Sequence, residues 1–227
     1  MFKAVLFDAY GTVLDVDSAA FRLAQSGQYP VLAEKWSELA AIWRAKQLNY
    51  SWLRSLSQQI VPFWQITCDA LDYAMEALSI QDDEMREALL DLYRRLDAYP
   101  EIEQVLNAVD AAGYPAAILS NGNHQMLKDA FTHAGVISRF DALLSVEDVG
   151  VFKPAAQVYQ MGCDHYQAKP NEILFASSNG WDAACALQFG YVTFWANRGG
   201  LPSDRLPETP AYTGSDLTGL IPLLSSS

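Results

Sequence analysis

The sequence predicts an α/β protein, a parallel-sheet core interrupted near its start by an all-helical insertion. Three observations predict it. Lys3 to Phe7 is a short apolar run suited to a buried strand, and it ends on Asp8 and a Gly11-Thr12 turn. From about Ser18 to Leu96 apolar residues recur at helical spacing with almost no strand signal. From Pro100 onward short strand-like runs alternate with helical patterns, as parallel βαβ units do. Residues 1–15 and 98–227 are therefore expected to form the α/β core, and residues 16–97 a helical unit.

Each element has its own signal. Leu32, Trp36, Leu39, Ala40 and Trp43 fall on one face of a helix, and Trp52, Leu53 and Leu56 are expected to extend that face. Pro62 can open a new helix, with residues 63–78 helical beyond it. Asp82, Asp83 and Glu84 give an acidic first turn to a helix running to Leu96, which suits the helix dipole and reads as a helix start rather than a calcium loop. In the second part, helices are expected over 101–112, 124–134, 155–165 and 182–189, the first two closed by Gly113 and Gly135 and the last by Gly190. Strands are expected over 116–119, 142–144, 173–176 and 191–195. The tail from Asn197 is rich in Gly, Pro, Ser and Thr, with one short helix at 217–224.

Composition excludes several partners. The chain has 227 residues, 51% hydrophobic and 19% charged, enough for a real core and too few charges for disorder. A net charge of −12 argues against nucleic acid and anionic membrane, and any site for an anion needs local cations. Cys68, Cys163 and Cys185 lack metal or CxxC spacing and read as reduced, buried thiols. No signal peptide or membrane span is recognisable, so a soluble cytoplasmic protein is expected. His124, His133 and His165 lack ligand spacing and read as surface or packing residues.

The chemistry-bearing residues share one feature, for each follows a predicted strand. Asp8 follows the first, Ser120-Asn121 another, Lys153 lies in a later loop, and Ser177 to Asp182 follows the strand at 173–176. Right-handed crossovers bring such loops to one edge of the sheet. Taken singly they are bland: Asp8 and Ser120-Asn121 as turn formers, Lys153 as a solvated loop residue. Together they put a carboxylate able to form a covalent ester beside a lysine that pairs with its charge or holds an anion. The helical unit leaves the same edge just after Asp8 and can lie over it as a lid.

In order and spacing, residues 3–12 with Leu119-Ser120-Asn121-Gly122, Val151-Phe152-Lys153-Pro154 and Ser177-Ser178-Asn179-Gly180-Trp181-Asp182 resemble the four motifs of the haloacid dehalogenase superfamily. The closer resemblance is to its L-2-haloacid dehalogenases, and it spans nearly the whole chain. It extends into residues 43–54, which resemble that group's arginine-bearing cap helix. The resemblance implies a Rossmann-like core with a helical cap, and a homodimer, as many relatives form. It implies Asp8 as nucleophile. Arg44, Asn121 and the edge of Phe63 would cradle halide. Ser120 and the backbone N–H groups of Ala9 and Tyr10 would hold a substrate carboxylate, and Leu48, Phe63 and Trp181 would wall its alkyl group. Lys153, Asn179, Asp182 or Thr12 would hold the hydrolytic water, with Asp182 the best candidate for its base. Ser177 and Tyr159 match family positions near the nucleophile, although Tyr159 also reads as a helix-packing residue.

Two departures separate the chain from metal-dependent phosphatases of the superfamily. Tyr10 stands where those enzymes carry a general-acid Asp, and Ser178 where they carry the first of two magnesium-binding acids, Asp182 being the second. Halide leaves without a proton, and a singly charged substrate needs no metal to neutralise it. Both departures therefore fit halide expulsion without a cofactor from a short 2-halocarboxylate. Three alternatives stay open: a magnesium-dependent phosphatase using Asp8 and Asp182, a hydrolase of other 2-substituted acids including fluoroacetate-like ones, and a catalytically silent binding protein.

Overall fold

The computed structural model describes residues 1–225. Strand β1 (Ala4–Phe7) is wholly buried, as its Ala-Val-Leu-Phe sequence requires of a strand covered on both faces. Four helices follow: α1 (Ser18–Gln25), α2 (Pro30–Leu56), α3 (Phe63–Ala77) and α4 (Asp83–Tyr93). The chain then alternates through α5 (Ile102–Ala111), β2 (Ala116–Ser120), α6 (His124–His133), β3 (Ala142–Ser145), α7 (Ala156–Tyr166), β4 (Ile173–Ser177), α8 (Gly180–Phe189) and β5 (Val192–Ala196). It ends with β6 (Tyr212–Gly214) and a 3-10 turn at Leu217–Leu220 that runs into α9 (Ile221–Leu224).

The six strands lie in the order β3-β2-β1-β4-β5-β6, every neighbouring pair parallel. From β1 the chain moves outward through β2 and β3, then returns to build β4, β5 and β6 on the other side. Ligands of such sheets bind where the winding reverses, beyond the carboxyl ends of the strands. Asp8, Asn121 and Ser178 are the residues directly after β1, β2 and β4.

The helical segment is amphipathic for legible reasons. In α3 the buried residues Phe63, Ile66, Thr67, Ala70, Leu71, Ala74 and Met75 keep i, i+3, i+4 spacing throughout. Asp82 caps α4 by accepting the Met85 N–H at 2.9 Å, with Asp83 and Glu84 in the first turn. The segment joins the sheet by two crossings that run side by side: Asp15 N–H donates to Asp97 O (2.8 Å) and Tyr99 N–H to Val13 O (3.0 Å).

Helix α2 departs from expectation. Its buried stripe runs Leu32, Leu39, Ala40, Trp43 and then continues through Gln47 and Ser51, both polar. Leu53 and Leu56 lie off that stripe and are 52% and 82% exposed. Apolar identity pointed to the wrong positions because the buried ones carry hydrogen-bonding side chains. Strand β6 was not foreseen either. Its three residues are largely exposed and owe their conformation to backbone pairing with β5. Helix α8 starts at Gly180, two residues before the expected position, and the expected helix at 217–224 divides into a 3-10 turn and α9. Of the cysteines, only Cys163 is buried; Cys68 and Cys185 are half-buried, and all three are free. No helix among the described residues is long and apolar enough to cross a membrane.

Gly162 shows how closely α7 approaches the sheet. A Cβ there would lie 2.5 Å from Leu6 Cδ2 and 2.5 Å from Tyr191 Oη, whose hydroxyl donates to Tyr159 O. Gly162→Ala is expected to destabilise the fold by about 1–3 kcal/mol through overpacking. A urea midpoint unchanged from wild type would show that this contact is not tight.

Candidate active site

Asp8 begins where β1 ends. Its N–H still donates to Ala176 O on β4 (2.9 Å), so the backbone is fixed by the sheet while the side chain leaves it. Gly11, at φ +85°, turns the chain back, a conformation that glycine adopts without strain. The turn brings Thr12 under the carboxylate. Asp8 Oδ2 accepts from Thr12 Oγ1 (2.9 Å) and Asn179 Nδ2 (3.0 Å), and Oδ1 accepts from Lys153 Nζ (3.1 Å). Ser178 N–H donates to Thr12 Oγ1 (2.8 Å), which fixes that hydroxyl in turn.

Lys153 is 1% exposed and bridges two carboxylates, with Asp182 Oδ2 at 2.8 Å. Burial opposes its charge, but Asp182 and Asp8 outweigh that and hold its pKa above the ordinary lysine value. Asp182 is wholly buried at the start of α8. Burial raises its pKa, Lys153 lowers it, Asp8 raises it again, and the net direction is upward. Its other oxygen accepts from Tyr159 Oη (2.8 Å). Burial, then Asp182, push the Tyr159 phenol well above its usual value, so it stays a donor.

In front of Asp8 lies a small chamber of about 10 Å³. It is lined by Asp8, Tyr10, Arg44, Leu48, Phe63, Ser120, Asn121, Lys153, Asn179 and Trp181. Three of these come from the helical segment and the rest from the ends of the strands, the loops after them and the start of α8. Arg44 reaches down from α2, its Nη2 donating to Tyr10 O and Asn179 Oδ1, each at 3.3 Å. With Lys153 it supplies the cations that an acidic chain needs to admit an anion. Asn121 Oδ1 accepts the Lys153 N–H (2.9 Å), which leaves its amide NH2 for a ligand. Ser120 Oγ accepts the Gly122 N–H (3.0 Å), which leaves its proton free to donate. Among the described residues no backbone or side-chain acceptor takes the N–H groups of Ala9 or Tyr10. Gly122 has to be glycine, since a Cβ there would sit 2.7 Å from Tyr10 Cε2.

The remaining sequence candidates lie behind the chamber. Thr12, Asp182 and Tyr159 touch Asp8 or its partners but do not line the cavity. Ser177 Oγ accepts the Asn179 N–H (3.1 Å) and shapes the turn, while Ser178 is the serine that meets Thr12. Three further residues were not foreseen. Gln47 and Tyr93 form a buried network behind Arg44, and Trp52 packs its ring against Trp181 at 5.3 Å. The continued i+4 stripe Trp43, Gln47, Ser51 was the available signal for Gln47.

These residues do not fit a magnesium site. The ammonium of Lys153 bonds both carboxylates that would ligate the ion, and Tyr10 and Ser178 occupy the places of further acids. Among the described residues no group of three or more His, Cys, Asp or Glu is arranged to hold a metal.

A six-stranded parallel sheet, an Asp at the end of its first strand, a lysine bridging to a second Asp and a helical segment over the site define a class. The family model of the haloacid dehalogenase-like hydrolases matches residues 2–190, and the chain belongs to that family. Within it the chain groups with the (S)-2-haloacid dehalogenases. It is 39% identical to (S)-2-haloacid dehalogenase 1 of Pseudomonas sp. (strain CBS-3), over 89% of this chain and 87% of that one. It is 38% identical to (S)-2-haloacid dehalogenase 4A of Burkholderia cepacia, over 99% and 96%. The structure of L-2-haloacid dehalogenase from Xanthobacter autotrophicus with chloropropionic acid covalently bound matches with a TM-score of 0.86. That match has 33% identity and covers 99% of this chain and 98% of the other.

Removing the central cation leaves two carboxylates without it. Lys153→Met is expected to destabilise the protein by roughly 3–5 kcal/mol near neutral pH. Without the ammonium, the buried Asp182 carboxyl binds a proton still more readily folded than unfolded, so the deficit narrows as pH falls. Urea unfolding at several pH values checks this, and a deficit that widened in acid would contradict it.

Proposed function

We propose that the chain hydrolyses short (S)-2-haloalkanoic acids to D-2-hydroxy acids, with inversion at C2 and an ester on Asp8. The chamber carries this reading, because it sets a carboxylate fixed by three donors and the guanidinium of Arg44 in the same small cavity. Residues 16–97 act as its lid.

The substrate carboxylate docks on the Ala9 and Tyr10 N–H groups and the Ser120 hydroxyl. Leu48, Phe63 and Trp181 enclose the alkyl group. Asp8 attacks C2 from the face opposite the halogen; the new C–O bond forms as the carbon–halogen bond breaks, and the halide leaves with the electron pair. Arg44, Asn121 Nδ2 and the ring edge of Phe63 receive it. Holding both reactants in one geometry is the main gain, worth ~7–11 kcal/mol in well-oriented systems.

In the second half, water attacks Cγ of the Asp8 ester. Asp182 takes its proton, with Lys153 and Asn179 beside the developing charge and Thr12 fixing the carboxyl. The bond from Cγ to the ester oxygen breaks, and that oxygen leaves on the product and gains a proton. Overall, haloacid and water give hydroxy acid, halide and a proton, and the product's new oxygen comes from Asp8. Tyr159 serves by holding Asp182, and Ser177 by shaping the turn that carries Asn179.

The test is halide release from each enantiomer of 2-chloropropionate with EDTA present, and a single turnover in 18O-water. Chloride from the S enantiomer alone, with 18O first in Asp8 rather than in product, is expected. Label passing directly into the product would overturn the ester, and loss of activity in EDTA would overturn metal independence. Asp8→Asn is expected to release no halide.

The base assignment has its own consequence. Asp182 works deprotonated and its pKa is raised, mainly by burial. The rate of ester hydrolysis should therefore fall with decreasing pH through a value above the ordinary aspartate range. An acid limb at the ordinary value would remove Asp182 from this role.

A further inference from the structure

We infer that Gln47 is a positioning residue that keeps the Arg44 guanidinium at the reaction chamber and out of an ion pair with Asp17. The inference rests on the halide-binding role of Arg44 proposed above.

Arg44 borders two small cavities. One is the chamber. The other, also of about 10 Å³, lies on the far side of the guanidinium and is lined by Asp17, Trp43, Gln47 and Tyr93 among others. Asp17 makes no ion pair among the described residues. Burial and then Asp15 raise its pKa while Arg44 lowers it, so the two groups are within electrostatic reach. Arg44 therefore has a choice. Toward the chamber its partners are a backbone carbonyl and an amide oxygen, both neutral and both at 3.3 Å. Toward Asp17 it would gain a carboxylate, whose opposite charge adds an attraction that neither neutral acceptor offers.

The bond that decides the matter is the shortest of the three that Arg44 makes, from Nη1 to Gln47 Oε1 at 2.8 Å. Gln47 is 1% exposed, and its amide cannot turn over. Thr67 commits its hydroxyl proton to Phe63 O (2.9 Å), so toward Gln47 it can only accept. Gln47 Nε2 must then face Thr67 Oγ1 (2.8 Å) and Tyr93 Oη (2.9 Å), which turns Oε1 to Arg44. A flipped amide would set NH2 against the guanidinium and a carbonyl against the Thr67 lone pair. Tyr93 in turn stacks on Tyr10 at 5.6 Å and 16°. The anchor of Arg44 is thus braced against the nucleophile's own loop.

The experiment compares Gln47→Leu, Asp17→Asn and the double variant. Crystal structures locate Arg44, and single-turnover measurements separate halide release from ester hydrolysis. In Gln47→Leu, Arg44 is expected to turn to Asp17, and halide release to slow by roughly tenfold to a hundredfold, the cost of a misplaced group. Ester hydrolysis should keep its rate, which a general loss of structure would not allow. Asp17→Asn alone, outside the chamber, should leave both rates unchanged, and in the double variant it should restore most of the lost halide release. If Gln47→Leu does not fold, Gln47→Asn, whose shorter amide withdraws the carbonyl, is judged by the same criteria. An Arg44 that stays in place without Gln47, equal slowing of both half-reactions, or a double variant no better than the single one would overturn the inference. The position of Arg44 is read without any turnover, so a wild type that released no halide would refute the proposed reaction and not this arrangement.

Discussion

The ammonium of Lys153, buried between Asp8 and Asp182, is the interaction on which the site depends. Two carboxylates this deep in one crevice repel each other and would favour protonation. A cation within 3.1 Å of one and 2.8 Å of the other lets both sit beneath the same chamber. The sheet makes that geometry inexpensive to hold. Asp8 and Asp182 follow neighbouring strands β1 and β4, and the loop after β3 delivers Lys153 to the point where the winding reverses. Asn121 secures the lysine's backbone and Tyr159 the far oxygen of Asp182, so each charged atom has a defined partner. Both carboxylates are committed to that lysine, and the departures at Tyr10 and Ser178 are coherent with such a crevice.

How much of this was legible in the sequence depends on what each residue's position is determined by. Asp8, Ser120, Asn121 and Asn179 lie within a few residues of strand ends, and strand ends are visible as apolar runs followed by turn formers. Their convergence follows from parallel winding alone. Arg44 was legible only through resemblance, because nothing in a helical arginine says that it points down into a core. The buried half of α2 was not legible as buried at all. Gln47 and Ser51 hold core positions with polar side chains, and an apolar-periodicity reading moved instead to Leu53 and Leu56, which face solvent. The stripe turns polar at Gln47, which bonds Arg44, and at Ser51, whose hydroxyl donates to Leu48 O. Strand β6 was missed for a different reason, since its conformation comes from its neighbour β5 and not from its own three residues.

The helical segment and the sheet meet through unequal kinds of contact. At the back, the paired crossings of residues 13–15 and 97–99 bond backbone to backbone. At the front, side chains meet: Arg44 on Tyr10 and Asn179, the Ser55 hydroxyl accepting the Phe152 N–H at 3.2 Å, and the rings of Trp52 and Trp181 edge to face.

That difference bears on how the proposed substrate would reach the chamber. A cavity of about 10 Å³ has room for about one water molecule. A halogenated three-carbon acid is several times larger, so the chamber as it stands is too small to hold one. For the proposed reaction the chamber has to widen, and the front seam is where the helical segment meets the site loops through side chains. The seam is made of a few hydrogen bonds at 3.2–3.3 Å, two of them from the Arg44 guanidinium to neutral acceptors, and of ring edges. Under the proposed reaction, selection by size would depend on how far that seam widens, as much as on the walls that enclose the bound molecule.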